Sequence, residues 1–183
     1  MTLLVEQVVL LDPDGTPIGV ADKAVVHGES TPYHLAFSCY VFDAAGRFLV
    51  SQRAVDKATF PGMWTNSCCG HPAPGESPED AVRRRLRQEL GLTPTRLVLA
   101  LPDFSYRASF LGVEEHELCP VFLARVDTEP ELDPSEVEAV QWWPWPQFVT
   151  AALTPDSTIS PWAQEQVRGL EAGGHVETFL ASE

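Results

Sequence analysis

The feature that most constrains the fold is a capped helix predicted over residues 77–91, "SPEDAVRRRLRQELG". Ser77 is a typical N-cap, Pro78 suits the first helical position, and Gly91 favours the left-handed turn that ends a helix. A helix with one apolar stripe must pack against other elements, so a layered fold is expected. The stripe consists of Ala81, Val82, Leu86 and Leu90.

Strand-like segments outnumber helices around this helix, which predicts an α+β protein with an α/β/α sandwich and a mixed sheet between helices. The last segment, "HVETFLASE", reads as a frayed tail. The other predicted elements are the strands "LLVEQVVLLD" and "IGVADKAVVH", a hairpin over 34–53 that turns at "DAAG", strands near 96–110 and 117–127, the strand "EVEAVQWW", and the helices "PWPQFVTAAL" and "SPWAQEQVRGLEAG".

Length and composition favour a single domain, since the chain has 183 residues of which 44% are hydrophobic. We expect a core over about residues 33–150, an N-terminal hairpin over 1–32 and C-terminal helices over 151–175. There is no apolar run long enough for a membrane span and no signal-peptide pattern, so a cytoplasmic location is expected.

The charge pattern points to a small anionic substrate. The formal net charge of −14 argues against nucleic acid and anionic membranes as partners. Cations are nevertheless concentrated over residues 83–87, and Arg53 and Lys57 flank another segment. For any single arginine a solvated helix face is the simpler explanation, but the cluster within an acidic chain favours an anion site. A monomer or weak homodimer is expected.

Two adjacent cysteines, Cys68 and Cys69, stand in "TNSCCGHPAPGE". Neighbouring cysteines rarely bridge each other, and no CxxC pair is present for a zinc ribbon or a thioredoxin-like motif. Cys39 and Cys119 fall in apolar strand-like runs, which indicates buried core thiols. Reduced thiols are expected in all four positions.

Histidines and glutamates offer a second group of candidates. Glu115 and Glu117 are two residues apart in "VEEHELCPVF", so they share one face of a strand. Two like charges on one face are unfavourable unless a cation lies between them. Together with His27, His34 and His71 they would suit an octahedral site for Mn²⁺, Mg²⁺ or Zn²⁺. A solvated acidic edge, with His116 as its polar neighbour, remains the alternative.

The loop and helix together carry a long fixed spacing. Five residues separate Gly70 from Glu76, and seven more lead to "RRLRQELGL". This spacing resembles the Nudix box, whose carboxylates hold Mg²⁺ against a diphosphate. Arg85 and Gln88 stand where that box has glutamates, and only Glu89 remains. The change suggests a diphosphate that is held rather than hydrolysed, although an i,i+4 ion pair of Arg85 with Glu89 is a simpler possibility.

Further segments, namely "HLAFS", "FPGMWTNSCCGHP", "YRA", "ELCPVF" and "SPW", combine with the altered box. From about residue 5 to about residue 170, the chain resembles the type I isopentenyl diphosphate isomerases. The resemblance implies a Nudix fold with extra N-terminal strands and a C-terminal helical extension. It also implies conversion of isopentenyl diphosphate to dimethylallyl diphosphate in isoprenoid biosynthesis, by a 1,3-allylic proton shift.

The same resemblance implies roles for individual residues. Cys69 matches the catalytic cysteine, and Cys68 would serve in packing only. A tightly bound divalent metal, Mn²⁺ or Mg²⁺ with Zn²⁺ also possible, would be held by His27, His34, His71, Glu115 and Glu117. A second metal, Mg²⁺, would join the diphosphate to Glu89, near the Cys69 carbonyl. The diphosphate-binding cations would be Arg53, Lys57 and Arg85, and the remaining pocket residues Tyr106 and Trp162.

The chemistry of an isolated alkene suits these residue types. Protonating the terminal carbon gives a tertiary cation, and loss of a proton from the methylene completes the shift, so an acid and a base must face each other across a dry pocket. Either Glu117 or Cys69 could deliver the proton while the other removes one. We favour Glu117 as the acid, assisted by Tyr106, and Cys69 as the base, activated as a thiolate by nearby cations. Trp162 could stabilise the cation by about 2 kcal/mol, or could simply be core.

Two other functions stay open at the level of sequence. A Nudix hydrolase would release phosphate or a monophosphate from nucleotide diphosphates, which the replacements at Arg85 and Gln88 disfavour. A non-catalytic binding module would explain the altered box but not the set of Cys69, Glu115 and Glu117.

Overall fold

A computed structural model describes residues 6–182, and within this range the chain forms twelve strands and five helices. The strands are β1 (Gln7–Leu11), β2 (Pro17–Asp22), β3 (His34–Leu35), β4 (Phe37–Phe42), β5 (Arg47–Arg53), β6 (Trp64–Thr65), β7 (Cys68–Gly70), β8 (Arg96–Leu101), β9 (Ser105–Phe110), β10 (Val113–Leu118), β11 (Val121–Arg125) and β12 (Val137–Pro144). The helices are α1 (Lys23–Val26), α2 (Pro78–Leu90), α3 (Trp145–Leu153), α4 (Pro161–Ala172) and α5 (His175–Ala181). Among the described residues, no helix is long and apolar enough to cross a membrane.

The central seven-stranded sheet is mixed, as the sequence predicts. Its main order is β12-β5-β4-β11-β8, with β6 paired to β5 and β7 paired to β4. Strands β4 and β11 run parallel, and the other pairs are antiparallel. The predicted strand over 96–110 is in fact two strands joined by a turn, β8 in this sheet and β9 in a second one.

Helices cover both faces of the central sheet, which confirms the α/β/α sandwich. Helix α2 covers one face, and its predicted stripe of Ala81, Val82, Leu86 and Leu90 is fully buried against strand residues such as Phe37. Helices α3, α4 and α5 cover the opposite face together with the aromatic residues of β4 and β5. The caps of α2 also form as predicted: the Ser77 side chain accepts from the Asp80 amide, and Gly91 has a left-handed φ of 63°.

A second sheet of five strands, in the order β2-β1-β3-β10-β9, lies beside the first. Two neighbouring chain segments cross from this sheet into the central one, β3 into β4 and β10 into β11. They run parallel throughout, and backbone hydrogen bonds continue across the crossing, from Ala36 N to the Leu118 carbonyl at 2.8 Å and from Ser38 N to the Pro120 carbonyl at 3.1 Å. Side chains near the crossing therefore have fixed relative positions.

Two sequence predictions are wrong at the ends of the chain. The segment "IGVADKAVVH" leaves the sheet after Asp22, because the Asp22 side chain accepts from the Ala24 amide and starts the short helix α1. The predicted frayed tail is helix α5 instead, which docks through Val176 and Phe179. Arg96 stacks over the Phe179 ring at 4.6 Å and donates to the Phe179 carbonyl at 3.1 Å.

Replacing Phe179 with alanine is expected to lower the free energy of unfolding by about 3–5 kcal/mol, since a buried ring is lost and a cavity remains. Urea unfolding of the two proteins measures the difference. Thr178→Ala on the exposed side of the same helix is the control, with an expected change within about 0.5 kcal/mol. Equal stability of Phe179→Ala and the parent would show that α5 is not docked.

Candidate active site

A cavity of about 340 Å³ opens between the two sheets and gathers most of the predicted site residues. Its volume lies in the range that small-molecule sites usually have. Of the residues predicted from sequence, all except His34 and Glu89 line it. The lining residues are Lys23, His27, Arg53, Asp56, Lys57, Ala58, Thr59, Cys69, Gly70, His71, Arg85, Tyr106, Glu115, Glu117, Ser135, Glu136 and Trp162.

One row of the five-stranded sheet carries three of the predicted site residues side by side. Glu117 on β10 pairs with His34 on β3 and with Tyr106 on β9, so all three side chains project from the same face. As predicted from the alternation, Glu115 and Glu117 share this face and both are buried. The alternative of a solvated acidic edge is therefore wrong.

Three imidazoles and one carboxylate converge beside this row. Each of His27, His34, His71 and Glu117 offers a ligand atom, and these atoms lie within 4.8 Å of one another. The Nε2 atoms of His34 and His71 are 3.2 Å apart, and Glu117 Oε1 is 3.3 Å and 3.0 Å from them. Ligands at right angles around a divalent ion, each at about 2.1 Å, would be separated by about 3 Å.

The hydrogen bonding of the imidazoles fits a metal site. His34 Nδ1 lies 2.8 Å from the Pro32 carbonyl, to which it donates its hydrogen. This contact fixes the tautomer and leaves a lone pair on Nε2 that can bind a metal. Among the described residues, His27 Nε2 and His71 Nδ1 are buried without a hydrogen-bond partner. Burial, together with the neighbouring imidazoles, lowers the pKa of His27 to about 4, so its ring is neutral as a metal ligand must be.

Glu115 has a different environment from the other four predicted ligands. The Tyr106 hydroxyl lies 2.6 Å from Glu115 Oε2 and 2.9 Å from Glu117 Oε2. A phenol has one hydrogen to donate, so one of these contacts needs a carboxyl proton. Burial and the Glu117 charge raise the pKa of Glu115, the direction expected for a carboxyl that shares a proton here. Its role as a metal ligand stays a prediction.

The alternation of β7 separates the two adjacent cysteines. Cys68 is buried in the core beneath α2, as predicted for a packing residue. Cys69 points to the other side, where it lines the cavity. All four cysteines are free thiols, and Cys39 and Cys119 are buried as predicted.

The surroundings of Cys69 favour its neutral thiol. Burial raises the pKa of Cys69 to about 11 and outweighs the opposite effects of the Ser38 hydrogen bond and the Arg53 charge. Burial therefore opposes the expected thiolate, and activation of Cys69 by nearby cations stays a prediction. The sulfur lies 3.2 Å from Asn66 Oδ1 and 3.4 Å from Ser38 Oγ.

Cations line the end of the cavity next to α2. The guanidinium of Arg85 approaches Glu136 at 3.2 Å, and Lys57 forms an ion pair with the same carboxylate. Arg53 is anchored by hydrogen bonds of 2.8 and 3.1 Å to the Thr59 carbonyl. The predicted i,i+4 ion pair of Arg85 with Glu89 also forms, and it is buried. Glu89 lines a small adjoining cavity of about 30 Å³ rather than the main one.

Trp162 belongs to the hydrophobic core and also lines the cavity. Its side chain is 1% exposed, and its ring packs 5.8 Å from Tyr106 and edge-on to Phe60 at 5.0 Å. The Arg53 guanidinium lies 5.8 Å from the ring centroid. Both interpretations of Trp162 from sequence are therefore compatible with its position.

Sequence reasoning missed several polar residues of the cavity. Lys23 reaches the cavity because α1 replaces the expected strand. The N-cap residue Asp22 in "ADKAVVH" could have indicated this helix in the sequence. Glu136 lies in an acidic loop with no distinguishing pattern. Asn66 lies in "FPGMWTNSCCGHP" and Ser38 in "HLAFS", but their contacts with Cys69 arise only when β4 and β7 pair.

Comparisons with known proteins agree with this geometry. The sequence profile of the NUDIX domain matches residues 32–163. Isopentenyl-diphosphate Delta-isomerase of Mycolicibacterium vanbaalenii is 58% identical over 170 residues, covering 92% of this chain and 93% of that protein. The protein of the same name from Saccharopolyspora erythraea is 53% identical over 180 residues, covering 97% and 93%. The crystal structure of DR0079 from Deinococcus radiodurans superimposes with a TM-score of 0.68 at 21% identity, covering 89% and 98%, and supports the fold.

Proposed function

Because this chain belongs to the Nudix family and, within it, to the isopentenyl-diphosphate Delta-isomerases, we propose that Cys69 and Glu117 exchange protons with a five-carbon diphosphate in the cavity. The reaction is the isomerisation of isopentenyl diphosphate to dimethylallyl diphosphate. The observation that carries the residue assignment is that a thiol and a buried carboxylate, from different sheets, line one cavity.

The proton transfers follow from the side chains that face the cavity. One group protonates the terminal alkene carbon, and the other removes a proton from the methylene next to the resulting cation. In the forward direction Tyr106 relays the Glu115 proton to Glu117, which donates it to the alkene. Cys69, having first lost its own proton to solvent water, accepts the methylene proton as a thiolate. Because the interconversion is reversible, the two groups exchange roles in the opposite direction.

The pocket protects the cationic intermediate. Trp162 and Tyr106 line the cavity, and Phe60 packs edge-on against Trp162, so this aromatic wall would exclude water from the side that Trp162 covers. The face of an indole also stabilises a nearby cation, by about 2 kcal/mol when desolvated. The aromatic wall would thereby favour proton loss over capture of the cation as an alcohol.

A divalent cation would be held by His27, His34, His71 and Glu117, with Mn²⁺ or Mg²⁺ favoured by the mixed nitrogen and oxygen donors and Zn²⁺ also compatible. Bound there, the cation would act as a Lewis acid, and its positive charge would offset the negative charge of the buried glutamates. His34 is oriented for this role by the Pro32 carbonyl.

The diphosphate would occupy the cationic end of the cavity. Arg53, Lys57 and Arg85 are the predicted contacts, and Lys23 adds a fourth positive charge on the same cavity. Mg²⁺ bound with the diphosphate would take Glu89 as its protein ligand. Glu136 forms ion pairs with both Lys57 and Arg85 in this structure. Oxygens of the diphosphate would therefore compete with this carboxylate for the two cations.

Hydrolysis is disfavoured by the altered box. Glu89 is its remaining helical carboxylate, and that group is paired with Arg85. A hydrolase of this kind needs several carboxylates to hold Mg²⁺ and activate water. A cation at position 85 instead adds positive charge for the diphosphate.

Incubation with isopentenyl diphosphate, Mg²⁺ and Mn²⁺ in D₂O tests the proposal. Proton NMR is expected to show dimethylallyl diphosphate carrying solvent deuterium, since both proton-transfer groups exchange with water between turnovers. Phosphate assays should remain at background. Release of phosphate or a monophosphate without any allylic product would overturn the proposal in favour of a hydrolase.

A further inference from the structure

The side-chain amide of Asn66 lies between the reactive thiol and the pocket indole. Asn66 is completely buried, and its Oδ1 is 3.2 Å from Cys69 Sγ and 2.9 Å from Trp162 Nε1. The thiol and the indole N–H are both hydrogen donors, so a single oxygen holds the two groups that face the substrate from this side.

The orientation of the amide is fixed by its other end. Asn66 Nδ2 donates to the backbone carbonyls of Cys39 at 3.1 Å and Cys68 at 2.9 Å. A flipped amide would place its oxygen against these two acceptors and its N–H groups against the Trp162 N–H, so the flipped form is disfavoured. A carboxylate at this position would lack the donors and repel both carbonyls.

Every polar atom of the Asn66 amide has a hydrogen-bond partner. The Thr65 hydroxyl also donates to Oδ1, at 2.8 Å, and has a second partner in Ser160 Oγ at 2.7 Å. The oxygen therefore accepts from Cys69, Trp162 and Thr65, while Nδ2 donates to two backbone carbonyls.

A second chain of hydrogen bonds reaches the sulfur from the other side. The Tyr40 hydroxyl donates to Gln166 Oε1 at 2.9 Å, and Gln166 Nε2 donates to Ser38 Oγ at 2.9 Å. The Ser38 hydrogen is then directed to a sulfur, either Cys69 at 3.4 Å or Cys119 at 3.3 Å. All three residues of this chain are buried, so it restricts the Cys69 rotamer further.

We propose that Asn66 is a positioning residue that sets the placement of the Cys69 thiol and the Trp162 ring relative to each other for the isomerisation. The inference rests on the proposed function. Asn66 would act through these two side chains and would not itself contact the substrate. Its loss should slow the chemical step while leaving diphosphate binding nearly unchanged, because the Asn66 amide makes no hydrogen bond to any of the predicted diphosphate-binding cations Arg53, Lys57 and Arg85.

The test compares Asn66→Ala and Asn66→Asp with Ser67→Ala. Ser67 is equally buried and adjacent, but its hydroxyl bonds only the backbone of Val41 and Leu49, so Ser67→Ala reports the structural cost of losing a buried polar group here. We expect kcat to fall about 10- to 100-fold in both Asn66 variants, with KM changed less than about 3-fold. In Ser67→Ala, kcat should stay within about 3-fold. A kcat loss in Asn66→Ala no larger than that of Ser67→Ala would overturn the proposal.

A second readout does not depend on activity. The indole N–H resonance of Trp162, assigned by its absence in Trp162→Phe, should shift in ¹⁵N-labelled Asn66→Ala and stay in place in Ser67→Ala. An unmoved resonance would contradict the link even if the protein were not an isomerase. Should neither Asn66 variant fold, Asn66→Gln decides, because it keeps the amide but displaces its oxygen by one methylene: kcat should drop at least about 3-fold, and an unchanged kcat would overturn the proposal.

Discussion

Changing Cys69 to alanine is expected to lower the isomerisation rate by about 10²- to 10⁴-fold, the usual contribution of a positioned acid or base. The fold and metal content should be retained, because the Cys69 thiol makes no bond to the imidazole group. The measurement is kcat with isopentenyl diphosphate, alongside metal analysis and circular dichroism. An active Cys69→Ala protein would remove the thiol from the mechanism.

Cys68→Ala is the matched control for this experiment. The two cysteines are adjacent, but Cys68 packs beneath α2 while Cys69 faces the cavity. The control should lose some stability and keep its turnover within about 3-fold. If the two variants lost equal activity, the loss would reflect disruption of β7 rather than removal of a reacting group.

Glu117→Gln is expected to have an effect of similar size, about 10²- to 10⁴-fold on kcat, together with weaker metal retention. Glutamine keeps the shape of the side chain but carries no ionisable proton, and it removes the negative charge among His34 and His71. Turnover and metal bound after dialysis are the two measurements. Wild-type turnover in this variant would contradict the proposed proton transfer.

Glu114→Gln is the control on the same strand. Glu114 is also buried, but its carboxylate accepts hydrogen bonds from the Thr31 amide at 3.0 Å and from Arg107 Nε at 2.7 Å, on the opposite face of β10. Its turnover and metal content should match the parent. Comparable loss in both variants would mean that a negative charge anywhere on β10 is what matters.

Local signals in the sequence were enough for the elements whose ends are set by neighbouring residues. The bounds of α2 follow from Ser77, Pro78 and Gly91, and the two-residue alternation of β10 correctly brings Glu115 and Glu117 to one face. From the residues alone, a metal site of His27, His34 and His71 is one of two interpretations, since no spacing rule relates these histidines, and the family resemblance then favours it.

What could not be predicted depends on tertiary contacts. The docking of α5 requires the partner surface that Arg96 and the central sheet provide, so its sequence alone reads as a tail. Burial raises the pKa of Cys69, an effect that the cations suggested by the sequence do not outweigh. Asn66 shows no special pattern until folding brings Trp162 to its oxygen.

The crossing of β3–β4 and β10–β11 between the two sheets determines the distance between the two proposed proton-transfer groups. Glu117 belongs to one sheet and Cys69 is hydrogen-bonded into the other, so the gap between them is set by how the sheets join. Two small buried residues, Ala36 and Cys119, lie at that junction and outside the lining of the cavity. Bulkier side chains at these two positions would change the distance between Cys69 and Glu117. They would leave every group that touches the substrate in place and would offer a route to altered alkene selectivity.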